Sequence, residues 1–415
     1  MMFRVGINYW PVSSAMYWWQ RFDRIEVEQD FARIKNAGFD SVRIFLQWED
    51  FQPRPRIVSE KALDNLAIVA DVAQANRLSV LPTLFTGHMS GANWIPEWAL
   101  DRVEAGGAQS RFRTVSGGRV VRGNPKNWYT DERILDAQLR LARRIAARLH
   151  DAQNIWAYDL GNENSNCVIP PSREAAVHWL GAVAGEIRSV SPQRAITIGL
   201  HMEDLEEDRK LGPAEAARVS DFLCMHGYPI YSAWSDGPVD AMLLPFLGAI
   251  TRWLGSAGMP GGTGVPDVVF EEFGAPTVPA HGHSGAGDAV VGVPLLEEGE
   301  AALFTRNALE SLHEFGFIGA MIWCFGDYAR LNWSQPPLDQ SRHERSFGLW
   351  REDHSAKPAV AQIQRFSGVN QRPWLDGFDW IELETSEFYK NPAYNLRYLY
   401  RRFREVWPVN PQVTE

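Results

Sequence analysis

Two short stretches carry carboxylates that could break bonds. "LGNENS" (160–165) ends an apolar run with Asn162 and Glu163, and "VVFEEFGAP" (268–276) ends another with Glu271 and Glu272 side by side. Two carboxyl groups facing each other suit acid–base and nucleophilic work on a glycosidic bond. One must be protonated to assist the leaving group, and the other must be ionised to attack the anomeric carbon. Their separation and surroundings would split the two pKa values, and the charge of Glu272 is expected to raise Glu163. Side chains alternate faces along a strand, so only one of Glu271 and Glu272 is expected to reach such a site.

The elements that must position these groups follow from periodicity. Short β-branched or aromatic runs stand at 3–9, 40–46, 78–85, 154–161, 194–200, 221–227, 266–274 and 316–326. Amphipathic helical patterns alternate with them, from "EVEQDFARIKNAG", capped by Gly38, to "KPAVAQIQRF". Eight strand–helix units in one alternation predict an α/β fold, a closed (β/α)8 TIM barrel over residues 1–368, rather than an open doubly wound sheet. No G-x-G-x-x-G follows the first strand, which weighs against dinucleotide binding. The long connections 86–128, 274–296 and 326–350 fall after strands 3, 7 and 8, on the face where barrels carry their sites. Glu163 and Glu272 close strands 4 and 7 on that face. Residues 369–415 form a C-terminal extension, in which "FYKNPAYNLRYLYRRFREVW" reads as a helix packing tyrosines and leucines back on the barrel.

Composition narrows the partners. The chain has 415 residues, 45% hydrophobic and 22% charged, with a net charge of −10, which argues against nucleic acid and membrane-surface partners. The basic run "RLARRIAARLH" reads as the solvated face of a helix. Cys167, Cys224 and Cys324 follow no metal spacing and read as free thiols. The amino terminus shows no signal-peptide pattern and no apolar run reaches membrane-spanning length, so the sequence predicts a cytoplasmic protein. Seventeen tryptophans, several in loop-like segments such as "GANWIPEW" and "LNWS", suit a cleft for flat, hydroxylated ligands, and Trp94 fits either a cleft wall or loop packing.

Asn-Glu closing strand 4 and Glu-aromatic-Gly closing strand 7, in that order, resemble the clan A glycoside hydrolases, most nearly the cellulase, β-mannanase and β-mannosidase-like family 5. Further matches are Arg43 in "SVRIF", His88 after strand 3, His226 and Tyr228 in "HGY", Trp323 on strand 8, and "SFGLWREDHSAKPA" before the last helix. The resemblance spans residues 3 to about 366. It implies Glu163 as acid/base and Glu272 as nucleophile, which leaves Glu271 on the opposite face, paired with a basic residue behind the strand or with a loop. It also implies that Asn162 donates to the sugar 2-hydroxyl and that Tyr228 and Arg43 hold Glu272 charged. His88 and His226 would bond sugar hydroxyls or orient the glutamates, and Trp323 would floor the subsite of the cleaved sugar.

The implied activity is retaining hydrolysis of β-linked manno- or gluco-configured oligosaccharides, exo-acting or preferring short chains because the long loops wall the groove. "GINYWP" departs from typical cellulases. Alternatives are an endo-acting β-mannanase or glucanase and a non-catalytic sugar-binding barrel. No cofactor or catalytic metal is expected, since no His-x-His ends strand 1 and "HGHS" (281–284) reads as a loop. The sequence does not indicate an oligomeric state.

Overall fold

In the computed structural model, which describes residues 1–408 apart from 105–106, 263, 280–291 and 376, eight parallel strands form a ring. They are β1 (Arg4–Tyr9), β2 (Ser41–Phe45), β3 (Ser79–Thr83), β4 (Ala157–Asn162), β5 (Ala195–Gly199), β6 (Leu223–His226), β7 (Val268–Phe273) and β8 (Gly319–Ile322). Neighbours run β5-β4-β3-β2-β1-β8-β7-β6. A parallel bridge between His201 and His226 joins the remaining edges, with the His226 amide donating to the Leu200 carbonyl at 2.8 Å. This is the expected (β/α)8 barrel, with every strand where periodicity placed it.

The helices that alternate with the strands around the ring are α1 (Arg24–Asn36), α2 (Glu60–Ala75), α3 (Glu132–Arg148), α4 (Arg173–Val190), α5 (Pro213–Ala216), α6 (Leu243–Ser256), α7 (Glu298–Glu314) and α8 (Val360–Ile363), and further single turns lie in the connections. Asp23, Ser59, Asp131 and Ser172 start the first four, each accepting from first-turn amides that would otherwise lack a partner. Gly38, at φ +103°, ends α1 in a conformation that disfavours other residues. The basic run lies on α3, which buries Ile134, Leu141 and Ile145 on its other face. No helix among the described residues is long and apolar enough to cross a membrane.

The connection after β3 is more ordered than its sequence suggests. Gly87–Met89, Ala92–Trp94, Arg113–Ser116 and Arg119–Val121 form a small sheet. Strands this short do not display a period of two. Trp94 is a packing residue of this sheet, 3% exposed, its indole donating to the Met89 carbonyl at 3.3 Å. The extension ends in α9 (Pro392–Val406), which buries Leu396, Leu399, Tyr400 and Phe403. Tyr400 and Phe403 pack on Phe246 of α6 at 4.9 and 5.5 Å between ring centres, whereas Tyr394 and Tyr398 face solvent. The three cysteines are buried and unpaired. The two histidines of "HGHS" lie outside the described residues.

Candidate active site

Strand β7 is irregular where its glutamates sit. Phe270 stands opposite Met225 and Ala320, but Glu272 is opposite His226 and Phe273 opposite Ile322, so β7 carries one residue more than either neighbour. Such a bulge breaks strict alternation. Both carboxylates therefore enter the barrel, and the expectation that Glu271 faces away is corrected. Glu271 is fully buried, with Oε1 3.4 Å from Arg43 Nε and Oε2 3.1 Å from His226 Nε2. Asn8 Nδ2 of β1 donates to the Glu271 carbonyl at 3.0 Å and ties the bulge in place.

Arg43 is the hub beneath the site. Its buried guanidinium donates to Glu272 Oε1, to Asp159 Oδ2 at 2.7 Å, to Asn162 Oδ1 at 2.8 Å and to Asn8 Oδ1 at 3.2 Å. A buried charge is tolerable only with such partners. Gly199 makes the space: a Cβ there would stand 3.0 Å from Arg43 Nη2 and 3.1 Å from Glu271 Oε2.

Glu163 follows β4 in a left-handed conformation, φ 48° and ψ 45°, which costs about 1–3 kcal/mol for a residue with a side chain and is typical of functional positions. Its Oε1 lies 3.0 Å from His226 Nδ1, and its Oε2 accepts from Asn166 Nδ2 at 3.1 Å. One oxygen of Glu163, one of Glu272 and a ring nitrogen of His226 all lie within 4.8 Å of one another. Tyr228 Oη donates to Glu272 Oε2 at 2.8 Å.

These contacts set the charges. Burial alone would lower His226, but the Glu272 charge and the hydrogen bonds to Glu163 and Glu271 push it up to about 10. Burial would raise Glu163, yet the imidazoles of His201, His226 and His88 outweigh it and hold Glu163 below the ordinary carboxylate range. Glu272 is raised, because burial outweighs His226 and Arg43 and the Glu163 charge adds to it. The raised Glu163 expected from sequence is thus reversed in the free protein, and the causes are the imidazoles of His201 and His226.

A cavity of about 380 Å³ opens above this network, at the low end of the ~300–1,000 Å³ of small-molecule sites. Seven of the eight residues singled out in the sequence line it: His88, Asn162, Glu163, His226, Tyr228, Glu272 and Trp323. Arg43 lies just beneath, against Glu272. His88 Nδ1 is 2.8 Å from Asn93 Oδ1, and Asn162 Nδ2 donates to the His88 carbonyl at 2.6 Å.

Other residues of the lining were not singled out by motif or spacing. Glu344 lies near Trp323 with its carboxylate facing Ser90 Oγ at 3.1 Å, Tyr231 Oη at 3.2 Å, Trp323 Nε1 at 3.4 Å and His343 Nε2 at 3.4 Å. On the side of Glu163, Arg111 forms a two-pronged ion pair with Glu203, 2.8 Å in each arm, and its guanidinium lies 4.8 Å from the Phe112 ring centre. A His-Glu pair in the long connection after β8 was the available signal for Glu344. Nothing local marks Arg111 or Glu203, which meet from different connections.

No family model matches the chain. A mannan endo-1,4-β-mannosidase F of Aspergillus clavatus is 29% identical over 79 residues, which are 19% of this chain and only 17% of that protein. Among solved structures, a GH5_18 protein of Streptomyces cattleya in complex with Manβ1-4GlcNAc superposes with a TM-score of 0.70 and 23% identity, over 88% of this chain and 80% of that one. A GH5_18 protein of Bifidobacterium longum with the same ligand gives 0.70 and 18%, over 89% and 80%. An exo-β-1,4-mannosidase of Opitutaceae bacterium strain TAV5 gives 0.68 and 25%, over 88% of this chain and 59% of that one. The likeness to family 5 glycoside hydrolases read from the sequence therefore extends to the fold.

Proposed function

We propose that this protein is a retaining β-glycoside hydrolase that removes mannose from the ends of short β-linked manno-oligosaccharides. The carrying observation is the approach of Glu163 and Glu272, oxygens within 4.8 Å across the cavity. That proximity supports retention, since inverting pairs stand about 6.5–9.5 Å apart to admit a water. Glu272 attacks the anomeric carbon. Arg43 and Tyr228 hold its two oxygens, one each, so the attacking lone pair is oriented. Glu163 delivers a proton to the leaving oxygen and then takes one from the water that resolves the glycosyl-enzyme. Asn162 is fixed by Arg43 and by the His88 carbonyl, leaving little freedom for the contact to the 2-hydroxyl. Trp323, its ring edge-on to Phe45, forms the floor under the sugar.

Two features support end-on action. The cavity is small, and the connections after β3 and β8 meet over it through Ser90 and Glu344. The neighbours whose names include mannosidase or Manβ1-4GlcNAc favour mannose over glucose. Incubation with Manβ1-4GlcNAc and with 4-nitrophenyl β-mannoside, followed by proton NMR, tests the reading. First-formed β-mannose is expected, and Glu272→Ala abolishes it. First-formed α-mannose, or turnover of β-glucosides alone, would overturn it.

A further inference from the structure

Glu271 has no task in the mechanism just described, yet it is fully buried at the centre of the network. An imidazolium has two N–H groups and needs two acceptors. His226 has them on opposite sides: Glu163 Oε1 at 3.0 Å from Nδ1 and Glu271 Oε2 at 3.1 Å from Nε2. We propose that Glu271 is a positioning residue that keeps His226 doubly protonated, so that His226 stores the proton Glu163 passes to the leaving group. This rests on the assignment of Glu163 as acid/base.

The step balances. The Nδ1 proton of His226 moves to Glu163 Oε1, leaving a neutral imidazole whose Nε2–H still donates to Glu271. Glu163 then gives that proton to the glycosidic oxygen as the C1–O bond breaks. The bond's electron pair stays on that oxygen while Glu272 bonds to C1. In the second half, Glu163 takes a proton from the water whose oxygen bonds to C1, the C1–O bond to Glu272 breaks with its electron pair returning to the carboxylate, and Glu163 passes the proton back to Nδ1.

The surroundings explain why a second acid is needed. His226 faces Glu163, Glu271 and Glu272, with Arg43 opposing. Glu271 faces Arg43 and His226, and near it stand Asp159 and Cys224. Arg43 repels an imidazolium and engages Glu272 and Asp159 directly. Glu271 is the acceptor left for Nε2. Its lowered pKa, in which Arg43 and His226 overcome burial, keeps it ionised for that purpose.

The test uses the full chain with ¹⁵N-labelled histidine. In the wild type, the His226 ring nitrogens carry the imidazolium signature at about pH 7. In Glu271→Gln, the His226 transition falls by about 1–3 pH units, the size expected for losing one buried charged partner. The alkaline limb of kcat/KM for 4-nitrophenyl β-mannoside falls with it. Turnover of 2,4-dinitrophenyl β-mannoside, whose leaving group needs little protonation, drops far less. A merely structural role would depress both substrates equally at every pH. The proposal is overturned by a neutral wild-type His226 at pH 7, which needs no variant, or by a folded Glu271→Gln with an unshifted transition and limb. A protein with the expected His226 signature that cleaves no β-mannoside would instead sink the functional assignment.

Discussion

Replacing Glu344 by Gln keeps the side chain's shape and removes its charge. Glu344 is 7% exposed and gathers Ser90, Tyr231, Trp323 and His343 around two oxygens at 3.1–3.4 Å. The contacts from Trp323 and His343 are the longest, at 3.4 Å, so a sugar hydroxyl above Trp323 is expected to replace one of them at the carboxylate. A hydrogen bond to a charged group contributes about 1.5–3 kcal/mol and a neutral one about 0.5–1.5. The difference, about 1–2 kcal/mol, corresponds to a ~5–30-fold loss of kcat/KM. The assay is a cycle: wild type and Glu344→Gln, each on 4-nitrophenyl β-mannoside and its singly deoxygenated analogues. For the hydroxyl that Glu344 reads, the two losses are not additive. A loss under twofold, or strict additivity for every hydroxyl, would refute a role for Glu344 in holding the terminal sugar.

Three further outcomes follow from the same geometry. Gly199→Ala pushes a methyl against Arg43 Nη2 and Glu271 Oε2, so both activity and thermal stability fall; an unchanged melting temperature with full turnover would contradict the tight packing. Asp30, beside Tyr9 and Arg33, is raised to about 7, by burial first and Glu26 second. The folded state therefore binds more protons than the unfolded one between about pH 4 and 7, stability declines as pH rises through that window, and Asp30→Asn flattens the decline in denaturant titrations. Arg111→Ala removes one of the two arginines paired with Glu203 in the cavity lining, leaving Arg209, and opens that part of the wall. Time courses on a mannohexaose should then show longer early products than the wild type, and an identical pattern would exclude that wall from setting chain length.

Periodicity carried the barrel because eight strands and their helices each repeat one pattern over many residues. Seven of the eight singled-out residues line one cavity, because strand ends in a closed barrel converge wherever the chain supplies them. Glu271 was misplaced for a local reason: one extra residue in β7 is invisible in sequence, and it turns a side chain assigned to the outside toward Arg43. The raised pKa expected for Glu163 failed for a related one. His226 was assigned to orientation or to sugar hydroxyls, whereas its position between two carboxylates makes it a cation. Arg111 belongs to a connection whose three- and four-residue strands carry no periodic signal, and Glu344 and Glu203 sit in single helical turns of five and four residues, too short to show one.

In the proposed reaction Glu272, not its neighbour Glu271, forms the bond to sugar. Incubation with 2-deoxy-2-fluoro-β-mannosyl fluoride, followed by proteolysis and peptide mass spectrometry, tests it directly. One fluoromannosyl adduct per chain is expected, on Glu272 within "VVFEEFGAP". An adduct on Glu271 or Glu163, or inactivation without a covalent adduct, would contradict it.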